Sequence, residues 1–167
     1  LIDSYLQVET LETIERHVTA AAGEVIRRRR AALQMYRAWL LDIGPDRTVV
    51  ADRMLRFLTE SARTHSRSFR GDEDVGGDAL KALREVAKRR PEFRRLIVDE
   101  AIDSLEPHIA GHDRVAINEG LLTLEEYLDA LSGHEQKRGI ELALDALDRL
   151  DPIHNEWLIV RPALEVL

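Results

Sequence analysis

Cysteine is absent from the 167-residue chain, and tryptophan, tyrosine and phenylalanine together account for only eight residues. The lack of cysteine excludes disulfide bonds, thiolate zinc sites, iron–sulfur clusters and a cysteine nucleophile. No apolar run approaches the roughly 20 residues that a membrane-spanning helix needs, and no signal peptide is recognisable. We therefore expect a cytoplasmic protein that does not associate with a membrane, although a chain without cysteine is also compatible with export.

The residues that are abundant favour helices. Leucine and alanine, both strong helix formers, dominate an apolar content of 44%. Turn residues interrupt the chain at several points, and between them apolar residues recur with the period of a helix rather than alternating. The turns are expected at Gly44-Pro45, 71–77, Pro91, 107–111, Ser132-Gly133 and Asp151-Pro152. We predict an all-α fold.

The predicted helices recur at a regular spacing. Alternate helices are expected to begin near residues 75, 114 and 155, and near residues 48, 92 and 134, so that the interval is about 40 residues, as in two-helix solenoid repeats. Two stretches of the chain share a small-residue start, an Ala-Leu helix, a proline at the turn and a second apolar helix. They are VGGDALKALREVAKRRPEFRRLIVDEAIDSL and EQKRGIELALDALDRLDPIHNEWLIVRPALEVL. Between them, GHDRVAINEGLLTLEEYL resembles the opening of the second helix in a HEAT repeat, and the proline in LIVRPALEVL lies where the first HEAT helix often kinks.

From about residue 48 to residue 167 the chain thus resembles HEAT or armadillo repeats. The resemblance implies a short right-handed solenoid of two-helix repeats over residues 45–167, and a scaffold or adaptor role rather than an enzyme. Residues 1–44 would then form an N-terminal cap, as one long helix or a helical pair. A closed antiparallel helical bundle is the alternative fold, because forty-residue hairpins would produce the same spacing. We interpret the chain as a single domain and a fragment of a longer protein.

Charge is distributed unevenly along this acidic chain, whose formal net charge is −7. Residues 1–90 carry 17 basic and 14 acidic side chains, whereas residues 91–167 carry 7 and 17. Such asymmetry can orient a partner or promote head-to-tail association, or it can reflect two solvated surfaces of different composition.

The basic residues gather in three clusters, which are the candidate interaction sites together with Trp39, a residue that can serve either as a binding hot spot or in the core. The candidates are Arg27, Arg28, Arg29, Arg30, Arg37 and Trp39, then Arg63, Arg67 and Arg70, then Lys88, Arg89, Arg90, Arg94 and Arg95. HEAT-type DNA glycosylases and other solenoids hold a phosphate backbone with such cations, so a shared surface would predict nucleic-acid binding. The acidic net charge and the scarcity of aromatic residues favour a protein partner instead.

Arg29 has an unusual place among the four consecutive arginines. At 100° per residue the four side chains spread around the helix, and Arg29 falls within the apolar stripe centred on Val18, Val25 and Tyr36. A guanidinium there needs a carboxylate or carbonyl partner, or an opening to another molecule. We expect a partly buried ion pair or a contact with another molecule.

No pattern in the chain points to catalysis, a cofactor or a metal. His108 and His112, with Asp113, have the separation of helical metal ligands, but Pro107 and Gly111 predict a turn there. The pair His134-Glu135 is a single example of a pair that HEAT-fold metal-dependent hydroxylases use several times. We therefore expect a non-catalytic domain that binds another protein, either itself or a neighbouring domain, with nucleic-acid binding as the alternative.

Overall fold

Helices make up almost the whole of the described structure. The computed structural model describes residues 25–44, 47–64, 75–149 and 157–167, apart from the side chains of residues 25–28 and 157. These ranges contain seven α-helices, one 3-10 turn (Leu128–Ala130) and no strand, so the prediction of an all-α fold is confirmed. The helices are α1 (Val25–Asp42), α2 (Thr48–Ala62), α3 (Val75–Arg89), α4 (Pro91–Gly111), α5 (Arg114–Tyr127), α6 (Gly133–Asp148) and α7 (Trp157–Val166).

The helices begin where local sequence signals place them. Helices α2 to α7 start within two residues of the predicted positions. Proline occupies the first position of α4, where its missing N–H costs nothing. At the start of α6 the backbone N–H and the hydroxyl of Ser132 donate to the Glu135 carboxylate at 2.9 and 2.5 Å, so the helix entrance is capped by its own side chains.

One predicted turn is wrong. Instead of ending before Pro107, α4 continues through this proline to Gly111, and it terminates at His112, whose φ of 57° is left-handed. A proline within a helix removes one backbone hydrogen bond. The following residues His108 and Ile109 are 0% and 1% exposed, so tertiary packing of this last turn outweighs the local preference of Pro107.

Every helix packs against its neighbours in sequence and against the helix two positions away. In this way α1 contacts α3, α3 contacts α5 and α5 contacts α7, while α2 contacts α4 and α4 contacts α6. Within the described ranges no extensive contact joins α1 or α2 to α6 or α7. The molecule therefore has an odd-numbered and an even-numbered row of helices, with the apolar core between them.

The core is continuous from α1 to α7. On the side of α1 and α2, the ring of Tyr36 meets Phe57 edge-on at 4.9 Å. Farther along, α4 and α5 approach closely at Gly120, where an added Cβ would lie 2.8 Å from Leu105. The largest fully buried side chains are Leu33, Tyr36, Leu40, Met54, Leu55, Leu58, Leu80, Leu83, Ile97, Leu105 and Ile109.

Candidate functional site

Two arginines of α1, Arg30 and Arg37, contact α3. Arg30 forms an ion pair with Asp78, and Arg37 donates to Glu85 at 2.5 Å. Both pairs span 48 residues, so α1 and α3 run in the same direction. The side chains of Arg27 and Arg28 lie outside the described part of the structure.

Arg29 is half-buried on the face of α1 that also carries Leu33, Tyr36 and Leu40, each of them fully buried. Its Nε is buried and has no hydrogen-bond partner among the described residues. The position inside the apolar stripe is the one that helical geometry predicts. The expected ion pair of Arg29 is not seen within the described ranges, and a contact with another molecule stays a prediction.

Arg63 is engaged by a buried carboxylate. Its Nε and Nη2 donate to the two oxygens of Glu100, each at 2.7 Å, in a bidentate pair that joins the end of α2 to α4. Glu100 is 6% exposed, and its burial raises the pKa of the carboxyl above the ordinary value, an effect that Arg63 opposes. The same contact raises the pKa of the Arg63 guanidinium. Arg67 and Arg70, the other members of this cluster, lie outside the described residues.

The third cluster is divided among several acceptors. Arg90 donates to Glu92 at 2.6 Å and to the carbonyls of Leu40 and Ile43 at 2.5 and 3.0 Å, which ties the end of α1 to the start of α4. Its guanidinium also lies 5.1 Å from the centre of the Phe93 ring. Arg90 therefore acts as a structural link between helices.

The remaining cations of this cluster also contact neighbouring helices, with one exception. Lys88 meets Glu126 of α5 at 3.1 Å, and Arg94 lies over the ring of Tyr127 at 5.0 Å. Arg95 pairs with Asp99 at 3.2 Å and with Glu135 of α6. Arg89 is exposed and makes no ion pair or hydrogen bond within the described ranges.

Ion pairs between helices form a charge ladder along both rows, through Arg37–Glu85 and Lys88–Glu126 in the odd-numbered row and through Arg63–Glu100 and Arg95–Glu135 in the even-numbered row. It continues from α3 to α5 through Arg84 and Glu119 at 2.7 Å, and from α5 to α7 through Glu125 and Arg161 at 3.9 Å. Acidic residues of the second half thus pair with four of the described candidate cations, Arg63, Lys88, Arg90 and Arg95, while Arg30 and Arg37 pair with acids of the first half. Trp39, the remaining candidate, is half-buried, packs against the core and lies 6.0 Å from the Tyr36 ring.

A buried histidine joins three helices. His108 Nδ1 is hydrogen-bonded to Asp113 Oδ2 at 2.9 Å, and Nε2 to the carbonyl of Ala62 at 2.6 Å. The imidazole also packs against Gly76, where an added Cβ would lie 2.7 Å from Cε1. Both ring nitrogens are occupied and His112 is exposed, and no metal-binding group of His and acidic residues occurs within the described ranges. His108 and Asp113 therefore hold the ends of α2 and α4 to the start of α5.

The outer side of α7 is the feature that sequence reasoning missed. Ile159, Ala163 and Val166 face the core, whereas Leu158 and Leu164 are 73% and 58% exposed. The exposed residues Leu158, Arg161, Leu164 and Glu165 span about 120° of the helix at 100° per residue, and we call them the α7 face. The segment WLIVRPALEVL indicated this exposure, because its apolar residues lie around most of the helix circumference. A helix that packs on one side cannot bury all of them.

The chain was compared with protein-family models, with curated proteins and with solved structures, and no significant match was found in any of them. None of the helices in the described ranges is long and apolar enough to cross a bilayer.

Proposed function

We propose that this chain is a non-catalytic protein-interaction domain, built as a short right-handed solenoid of HEAT-like repeats, that binds its partner through the α7 face. The order of packing supports the solenoid. In a closed bundle the first and last helices meet, whereas here the extensive contacts of each described helix are with helices one or two positions away. The parallel course of α1 and α3, given by Arg30–Asp78 and Arg37–Glu85, is that of equivalent helices in successive repeats.

The observation that carries the interaction role is the exposure of leucine on α7. The exposed positions of a helix that packs on one side are usually polar. The α7 face instead presents Leu158 and Leu164 on either side of Arg161, and burying a leucine side chain stabilises a complex by about 1.5–3 kcal/mol. A complementary protein surface is the natural cover for such a face.

The charge ladder favours a protein partner over nucleic acid. Binding to a phosphate backbone requires cations that are free to replace counterions. Arg37, Arg63, Lys88 and Arg95 are committed to carboxylates inside the molecule, which would have to be left unpaired when phosphate is bound. Among the candidate cations whose side chains the structure describes, Arg89 is the one that is exposed without an ion pair, and a single arginine supplies little of the required charge.

Affinity capture from cells that express the protein tests the interaction role. The bait is compared with the double variant Leu158→Asp/Leu164→Asp and with Leu96→Asp, a control on α4 where leucine is 49% exposed. We expect wild type and control to retain the same stoichiometric partner and the double variant to lose it. Capture of an identical set of proteins by all three would show that the α7 face is not the binding surface.

Titration against labelled duplex DNA at low and moderate salt tests the alternative function, nucleic-acid binding. We expect no saturable binding at low salt. Binding that weakens steeply with salt would instead support the phosphate-contacting role of the basic clusters.

A further inference from the structure

The surroundings of His108 determine how many hydrogens its ring carries. Nε2 lies 2.6 Å from the carbonyl oxygen of Ala62, and Nδ1 lies 2.9 Å from Asp113 Oδ2. A carbonyl oxygen and a carboxylate can only accept a hydrogen bond, so each ring nitrogen has to supply a hydrogen. A ring that donates from both nitrogens is the protonated, cationic form of histidine.

The neutral ring does not fit this geometry. It has one hydrogen for two acceptors, so two lone pairs would face each other, either at the 2.6 Å contact with Ala62 or at the 2.9 Å contact with Asp113. His108 is 0% and Asp113 7% exposed, so the ring is shielded from bulk water. A second hydrogen on the ring removes this conflict, and the carboxylate of Asp113 balances the charge.

We propose that His108 and Asp113 form a pH-sensitive switch, in which the ring of His108 is cationic in the folded protein and releases the end of α2 when it loses its proton. The neutral ring keeps its hydrogen toward Asp113, because a charged acceptor forms a stronger hydrogen bond than a carbonyl does. The contact that is lost is therefore the one with Ala62, the last residue of α2. The switch acts on the packing of α2 against α4 and α5 and does not involve the α7 face.

The charged groups around the ring make Asp113 its counter-ion. Asp113 contacts the ring directly, and on α3 the ring meets Gly76, which has no side chain. The other described titratable side chains within four residues of these contacts in sequence are Glu60, Arg63, Asp78, Glu106, His112 and Arg114. Arg63 and Asp78 are paired with Glu100 and Arg30, and the other four are exposed to solvent, which screens their effect on the ring.

The direction of the pH effect follows from the extra proton. An ordinary histidine loses its proton near pH 6.5, so above this pH the ring is neutral in the unfolded chain and still cationic in the folded protein. The stability that the proton contributes is present below about pH 6.5 and is lost as the pH rises to the point where the folded protein releases it too. Within this interval the folding equilibrium constant falls by up to about tenfold per pH unit.

Nitrogen NMR of the full 167-residue chain, labelled in its histidine rings, tests the charge of His108. At pH 7.5 we expect both ring nitrogens of His108 to carry a hydrogen, whereas an ordinary histidine is about nine-tenths neutral at this pH. The signal is identified by its absence in His108→Gln or, if this variant does not fold, by correlation with the backbone of His108 in the wild-type chain. A His108 ring with a hydrogen-free nitrogen at pH 7.5 overturns the proposal.

Urea unfolding between pH 6.5 and pH 8.5 measures the contribution of the proton to stability. We expect the stability advantage of wild type over His108→Gln to shrink by up to about tenfold per pH unit, and that over His134→Gln, an exposed histidine of α6, to stay constant. An advantage over His108→Gln that does not change with pH would contradict the switch.

Hydrogen exchange tests which contact opens. The amides of Arg63 and Thr64, bonded to the carbonyls of Thr59 and Ser61 at 3.3 and 3.0 Å, report on the end of α2. We expect their protection factors, which are corrected for the intrinsic effect of pH, to fall over the same pH range in which NMR shows His108 losing its proton. Protection that stays constant while the ring becomes neutral would show that the end of α2 is not released.

Discussion

Removing the Arg63 side chain leaves the Glu100 carboxylate buried without its guanidinium. Glu100 is 6% exposed, and both of its oxygens accept from Arg63 at 2.7 Å. The two residues differ sharply in exposure, since the Arg63 side chain is 60% exposed. Arg63→Ala and Glu100→Gln therefore both remove this ion pair, but the first leaves a buried carboxylate and the second leaves an exposed guanidinium.

The expected losses of stability in the two variants follow from this difference in exposure. Breaking a fully buried ion pair costs about 3–5 kcal/mol, but water can reach the site once Arg63 is gone, so we expect Arg63→Ala to lower the free energy of unfolding by about 1–3 kcal/mol. Glu100→Gln leaves an arginine that is already solvated and removes a carboxylate whose burial was unfavourable. Its cost should stay below about 1 kcal/mol, as for exposed ion pairs.

The pH dependence has a definite sign. Burial raises the pKa of Glu100 above its ordinary value of 4.5, and the nearby Asp103 raises it further. The stability that a raised carboxyl pKa contributes is present below the unfolded pKa and is lost as the pH rises through the folded pKa. In Arg63→Ala nothing opposes the effect of burial, so the pKa of Glu100 rises further. The charge-dependent part of the loss should be absent below about pH 4.5 and should grow as the pH increases.

Urea unfolding followed by circular dichroism at several pH values measures both effects, with an unchanged m-value as the sign that only stability has changed. Equal losses for Arg63→Ala and Glu100→Gln would refute the assignment of Glu100 as the buried member. A loss of stability in Arg63→Ala that does not vary between low and neutral pH would refute the role of the Glu100 charge.

Four further substitutions test the packing and capping contacts. Gly120→Ala forces a Cβ against Leu105 and should cost about 1–3 kcal/mol, whereas Gly133→Ala, with nothing within 4 Å, should be neutral or stabilising; thermal melts of the two should separate clearly. His108→Ala deletes two buried hydrogen bonds and leaves a cavity, so a loss of about 2 kcal/mol or more is expected in urea, and a loss below half of that would contradict its linking role. Ser132→Ala should lower stability by about 1 kcal/mol through the lost cap of α6, and an unchanged melting temperature would show that the cap is dispensable.

Most helix boundaries could be read from local signals. The starts of α4 and α6 depend on residues within one turn, Pro91 in one case and Ser132 with Glu135 in the other. Pro107 shows the limit of such signals, because the burial of His108 decides that α4 continues past it. For Arg29 the period of the helix predicts its place in the stripe, but its surroundings depend on the other helices.

The candidate site could be predicted far less well. The partners of the basic clusters lie 37 to 48 residues away in sequence in the pairs Arg63–Glu100, Lys88–Glu126 and Arg37–Glu85. Nothing local to a run of arginines indicates a carboxylate so distant in the sequence. The clusters therefore predicted a basic surface, whereas most of their cations that the structure describes are paired with carboxylates.

The sequence by itself determined that this chain is helical, where most of its helices begin and at what interval they recur, because caps, turns and apolar period act within a few residues. Only the tertiary structure decided which side of each helix is covered, which cations are paired and which leucines remain in solvent. Those properties depend on elements that are distant in the chain and adjacent in space. Leu158 and Ile159 are neighbours of similar hydrophobicity, and the packing of α7 alone makes one a surface residue and the other part of the core.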